Sequence, residues 1–241
     1  MKRTIQAMGL TAALLAGLLL GGCAGGAGSA PSEPAATATP SPTPEAEPTP
    51  NPLTGLTDAD YTNRRPVAVT LRTLTGAAPQ WGLSSADVLV EGVTEGTTAS
   101  LMALYSNVDS ISKVGPVGPG RDLLLQFALP LNALPVHINK NIYASNLLNT
   151  LSYQDLDGYH IGKAAFAFDQ DRQNAGYQEE NCWYTTADLI RAGLEQYGAS
   201  LDGANTPLFL FGERPAVAES DRNATSLTVT LSADDSEQLN F

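Results

Sequence analysis

Between Ala24 and about Pro52 the chain contains no Lys, no Arg, no aromatic residue and no large aliphatic residue. It is built almost wholly from Ala, Gly, Ser, Thr, Pro and Glu, and it closes on the repeated steps Thr39-Pro40, Thr43-Pro44 and Thr49-Pro50. Such a stretch cannot bury enough apolar surface to offset the entropy of ordering it, so a disordered tether is expected. Fully extended as polyproline II it would reach roughly 90 Å at ~3.1 Å per residue. Only residues 51–241 are left to form a core, and about 190 residues are enough for one domain.

The segment before the tether is of a different kind. Lys2 and Arg3 lead into an apolar run from Met8 to Leu20, and Gly21-Gly22 stand directly before Cys23. A charged start, a short apolar stretch and small residues before a cysteine form the pattern of a bacterial lipoprotein signal. The run is too short to span a bilayer, which takes ~20 apolar residues. Residues 1–22 are therefore expected to be removed as a signal peptide, leaving Cys23 as lipid acceptor and residues 23–50 as linker. Acyl chains such as palmitate stabilise attachment by about 0.8 kcal/mol per buried methylene. The expected location is the extracytoplasmic face of the cell membrane, with membrane lipid as partner through Cys23.

Charge narrows the other partners. Of 13 basic residues, Lys2 and Arg3 lie in the signal, leaving 11 against 25 acidic ones and a formal charge of −14. Nucleic acid is excluded as a partner, because phosphate tracking needs clustered Lys and Arg. With Cys23 lipidated, Cys182 is the one cysteine left, so no disulfide within the domain is expected. Two cysteines and the two histidines, His137 and His160, make a thin inventory for structural zinc, and no cofactor is expected.

Within residues 51–241 the pattern alternates between strand and helix. Residues 66–71, 87–90 and 101–105 read as strands, the last two separated by Gly92 and Gly96 as turn signals. The Gly/Pro run 114–120 must be a loop, and residues 121–129 have the apolar density of a helix that Pro130 ends. Residues 134–139 read as a strand carrying His137, and 144–151 as a short helix; 164–168 fits either state. Thr185-Thr186-Ala187-Asp188 resembles a capping box before a helix carrying Ile190, Leu194 and Tyr197, with Gly198 as its stop. Residues 208–211 and 227–231 read as late strands. The expectation is an α/β fold, a layered mixed sheet with helices, preceded by the disordered tether.

The order of motifs resembles the YerB-like bacterial lipoprotein family, whose domain has no known function. The resemblance rests on Asn51-Pro52-Leu53-Thr54-Gly55-Leu56, Asn63-Arg64-Arg65-Pro66-Val67-Ala68-Val69 and Pro79-Gln80-Trp81-Gly82-Leu83-Ser84-Ser85-Ala86-Asp87. Further on it rests on Lys113-Val114-Gly115-Pro116-Val117, Arg121-Asp122, Val136-His137 and Tyr184-Thr185. The departures fall at polar positions. Thr97-Thr98-Ala99-Ser100 lacks the family's arginine, and Gly118-Pro119-Gly120-Arg121 keeps only the second of two. Ile138-Asn139-Lys140 replaces a Gly-Gly, and Glu180-Asn181-Cys182 replaces a Pro-His-Asn. The resemblance also implies a second, strand-rich segment beyond Phe241, so the domain is expected to be shortened at its C-terminus.

The candidate ligand or catalytic residues are Glu91, Glu95, Arg121, His137 and Tyr184. Arg121, at the start of a helix behind a Gly/Pro loop, could hold a carboxylate or phosphate together with backbone N–H groups. Glu91 or Glu95 beside His137 could do acid–base work. The alternative is that Arg121 pairs with a local acid, His137 is a satisfied core-edge histidine and both glutamates are solvated. Asp169, Asp171, Gln173 and Glu180 match positions one, three, five and twelve of a calcium loop, although Asn174 replaces the usual Gly. Ser84 and Ser85 lie in no nucleophile elbow, and no Cys–His signature surrounds Cys182.

Two functions follow as expectations. One is a tethered binding or scaffold module for a cell-wall component or an envelope protein. The other is a hydrolase or transferase acting on the wall, with a degenerate non-catalytic paralogue as a variant of it. Fold resemblance alone supplies no reaction.

Overall fold

The computed structural model describes residues 48–212, 225–232 and 235–240. The signal, Cys23 and most of the tether lie outside the described residues. Strand β1 (Val67–Leu71) is followed by β2 (Val88–Glu95), β3 (Thr98–Tyr105), helix α1 (Asp122–Ala128), β4 (Leu134–His137) and α2 (Ile142–Leu151). Then come β5 (Leu156–Asp157), α3 (Gly158–Ile161), β6 (Ala167–Phe168), α4 (Gln170–Asn174), β7 (Trp183–Tyr184), α5 (Ala187–Tyr197), β8 (Ser226–Ser232) and β9 (Asp235–Asn240).

Five strands form one mixed sheet in the order β2-β3-β1-β4-β5. β1 runs antiparallel to β3 and parallel to β4, and β4 runs parallel to β5. β1 is buried along its whole length, because alternate side chains enter different layers. Val67, Val69 and Leu71 join the core with Ile190 and Leu194 of α5, whereas Ala68 packs with Leu124 and Ala128 of α1. Leu125 of α1 meets Ala144 and Leu148 of α2 in a smaller cluster. Helices on both faces of a mixed sheet agree with the fold class read from the sequence.

The departures are local. β2 and β3 extend to Glu95 and from Thr98, so most of the expected 91–100 connection is strand, with a turn at Gly96. Pro130 does not end the chain's helical path at once, because residues 129–131 continue as one 3₁₀ turn. The α5 cap is Thr186, whose hydroxyl accepts from the Leu189 N–H, one residue later than the capping box predicts. Thr185 instead donates its buried hydroxyl to the Ala165 carbonyl at 2.7 Å. Residues 208–211 form no strand, and the Leu210 side chain is fully exposed. β8 corresponds to the last expected strand, and it has an antiparallel partner in β9.

Candidate functional site

The sequence-predicted residues fall into four neighbourhoods. Arg121, directly before α1, places Nε 2.9 Å from Glu95 Oε1. The contact is off the line of a hydrogen bond, and Glu95 is 56 % exposed. Glu91 pairs across the sheet with Leu101 and lines a wide cleft with Thr73, Gln80, Thr98 and Ala99. Tyr184 packs edge-on against Trp81, with ring centroids 6.0 Å apart, and the Lys113 ammonium lies over both rings at 4.4 and 3.7 Å. Lys113 also donates to Asp169 at 2.6 Å, so this neighbourhood is a paired aromatic and ionic cluster.

The calcium-loop reading meets a different backbone. Asp169 caps α4 by accepting from the Arg172 N–H, and Asp171 and Gln173 lie inside that helix. Helical phase turns these side chains around an axis rather than inward around one ion. The spacing in the sequence reflects a helix start.

His137 leads to the cluster that sequence reasoning missed. It ends β4, stands in register with Asp157 of β5, and has no solvent exposure. Asp155 and Asp157 are two residues apart and share one side of the chain, while Leu156 between them enters the core. His137 Nε2 is 2.9 Å from Asp155 Oδ2, yet neither ring nitrogen completes a hydrogen bond. Lys140 Nζ donates to Asp155 Oδ2 at 2.7 Å and to Asp157 Oδ2 at 2.9 Å. Asp157 Oδ1 accepts from the N–H groups of Asn139 and Tyr159 at 2.7 and 2.9 Å.

The electrostatics of this cluster are mutual. Burial opposes ionisation of Asp155, but contacts with His137 and Lys140 outweigh it and bring the carboxyl down to about 2. Asp157 is lowered likewise, with burial overcome by Lys140 and the backbone N–H groups. The same carboxylates hold the Lys140 ammonium above its usual range in spite of its own desolvation. One part of this group is local in the sequence: Asp155-Leu156-Asp157 stands three residues before His160.

The cleft beside Glu91 encloses about 820 Å³. Exposed Leu74, Leu89 and Val229 border it, together with Thr73, Thr75, Thr98 and the Gln80 amide. A smaller hollow of about 200 Å³ lies among Arg72, Val117, Ile138, Glu180 and Trp183. Among the described residues no helix is long and apolar enough to cross a membrane.

Known proteins share this framework. The chain is 31 % identical over 163 residues to "Putative lipoprotein YerB" of Bacillus subtilis (strain 168), covering 65 % of this chain and 46 % of that protein. A crystal structure of YerB protein from Bacillus subtilis superposes with a TM-score of 0.60 at 28 % identity, covering 68 % of this chain and 55 % of that one. The chain thus spans about half the length of the relatives it matches. Residues 53–200 match the N-terminal domain of the protein family of unknown function DUF3048, and the chain belongs to that family.

Proposed function

We propose that the chain is a lipid-anchored binding module of the cell envelope, held through Cys23 and taking its ligand in the cleft between β2, β3 and β8. One observation carries this reading: the cleft combines exposed Leu74, Leu89 and Val229 with the hydroxyls of Thr73, Thr75 and Thr98, the Gln80 amide and the Glu91 carboxylate. Apolar walls with a few convergent polar groups are the usual make-up of a ligand site. That mixture suits a molecule with both hydroxyl or amide groups and an apolar face, such as a glycan–peptide fragment of the wall. The address is supported by the Gly21-Gly22-Cys23 pattern and by the lipoprotein name of the Bacillus relative.

A hydrolase at His137 has less support. A general base must come within hydrogen-bond reach of the proton it takes, directly or through one water, and the imidazole is wholly buried behind Asp155 and Lys140. The test is chemical-shift mapping of the protein with soluble muropeptides. Perturbations confined to Thr73, Leu89, Thr98 and Leu101, and abolished by Thr98→Trp, are expected. Perturbations elsewhere, or none, would reject the cleft as the binding site.

A further inference from the structure

We propose that His137, Asp155 and Asp157, completed by His160, form a site for a divalent transition-metal ion of the zinc type, and that Lys140 holds the site closed when the ion is absent. One donor atom from each of the first three residues lies within 4.8 Å of the others. The two carboxylates alone would be only an acidic pair. The further observation is His137, a side chain with no solvent exposure whose nitrogens find no hydrogen-bond partner. A buried polar group left unbonded is costly and calls for a partner.

The geometry supplies one. His137 Nε2 and Asp155 Oδ2 are 2.9 Å apart and out of line for hydrogen bonding. Donors held at ~2.0–2.1 Å around one tetrahedral ion stand about 3.3 Å apart, so a small adjustment converts this contact into two ligands of one metal. Asp157 is prepared in the same way. Its Oδ1 is fixed by the Asn139 and Tyr159 N–H groups, which aims Oδ2 at the cluster.

The fourth donor comes from outside. His160 Nε2 is 4.0 Å from Asp157 Oδ2, and its side chain is 58 % exposed. The two histidines of the whole sequence therefore flank the aspartate pair, His137 at Asp155 and His160 at Asp157. His137, Asp157 and His160 lie at the carboxyl ends of the parallel strands β4 and β5 or just beyond, where open α/β sheets place their ligands, and Asp155 directly precedes β5.

Two imidazoles and two carboxylates suit zinc, manganese or cobalt rather than calcium or magnesium, which prefer oxygen alone. Charge explains the role of Lys140. Its ammonium leaves the carboxylate pair with one net negative charge, whereas a doubly charged ion neutralises both carboxylates. Lys140 and Asp155 are 14 and 18 % exposed, so the ammonium has a way out to solvent and the ion a way in. On binding, Lys140 swings outward and His160 swings inward.

The experiment uses the full chain after removal of metal by a chelator, titrated with Zn²⁺ by calorimetry and with Co²⁺ by visible absorption. The wild type is expected to bind one ion and to give the strong d–d bands of tetrahedral Co²⁺. His160→Ala should weaken binding by about tenfold or more, as loss of one inward ligand requires, and Asp155→Asn should abolish it. Lys140→Met removes the competing ammonium and should tighten binding by about tenfold. Since His160 is exposed, its variant stays folded, and a circular dichroism spectrum checks this. Absence of Co²⁺ bands in both the wild type and Lys140→Met overturns the proposal. So does an affinity that His160→Ala and Asp155→Asn leave unchanged.

Discussion

Gly120 lies flat against the imidazole of His137, so that a Cβ at residue 120 would come within 2.9 Å of Nδ1. The loop between Gly115 and Gly120 is therefore glycine-rich at this point for a steric reason. Its Gly120 N–H donates to the Asn139 carbonyl at 2.9 Å, tying the loop to the segment that carries Lys140. Gly120→Ala should cost about 1–3 kcal/mol, the usual penalty for overpacking a tight site. Urea unfolding would measure this, and an unchanged midpoint would mean that the ring can move aside.

Acid should reveal the Asp155 contacts. The folded carboxyl titrates at about 2, below its ordinary 3.8, because His137 and Lys140 outweigh its desolvation. A lowered pKa contributes stability that is fully present above the ordinary value and is lost as pH falls through the folded one. The advantage of the wild type over Asp155→Asn is expected to be about 2 kcal/mol near neutrality and to shrink between pH 4 and 2. Unfolding in chelator across that range gives the answer, and a constant difference would exclude ionisation of Asp155 as its source.

Arg172 is predicted to resist conservative replacement. The side chain is buried, donates to the carbonyls of Pro79 and Ala77, and lies over the rings of Trp81 and Tyr177 at 4.3 and 4.2 Å. Lysine has no planar fork and cannot make two divergent bonds while stacked. Arg172→Lys should lose about 2 kcal/mol of stability, measured by chemical denaturation. By contrast Glu95→Gln, which removes an exposed partner of Arg121, should change stability by less than about 1 kcal/mol.

Cys182 should be inert while the protein is folded. It has no solvent exposure, its thiol donates to the Gln178 carbonyl at 3.3 Å, and burial pushes its pKa up. Thiolate is the reactive form, so both access and ionisation are withheld. In a Cys23→Ser variant, a thiol reagent should label Cys182 only as fast as the protein unfolds. Rapid labelling under native conditions would place the thiol at the surface.

How far the sequence was legible depends on the range of the interactions. Local signals read well: β1 and β4 followed from their apolar runs, and Gly198 stops α5 in the left-handed conformation, as such a residue should. Register did not read well, since the Thr185 hydroxyl could cap a helix or reach Ala165, and only the packed structure decides between them. The same held for the site. By sequence Arg121 suits either an anion ligand or a nearby acid, and the structure gives it Glu95, an acid 26 residues away at the end of β2. Lys140 looked like a mere departure from the family pattern until β5 brought Asp155 and Asp157 beside it. Long-range parallel pairing of β4 with β5 carries that information, and no short window of sequence contains it.

The two edges of the main sheet have a consequence for chains standing side by side. β5 contributes only two residues, so a neighbouring chain finds almost no ladder to extend. β2 is longer, but it carries Glu91 and Glu95 and an irregular register at Val93–Glu95, which spoils a flat template and repels a second acidic copy. Neither edge of the five-stranded sheet therefore offers a second copy of this domain a flat ladder to extend.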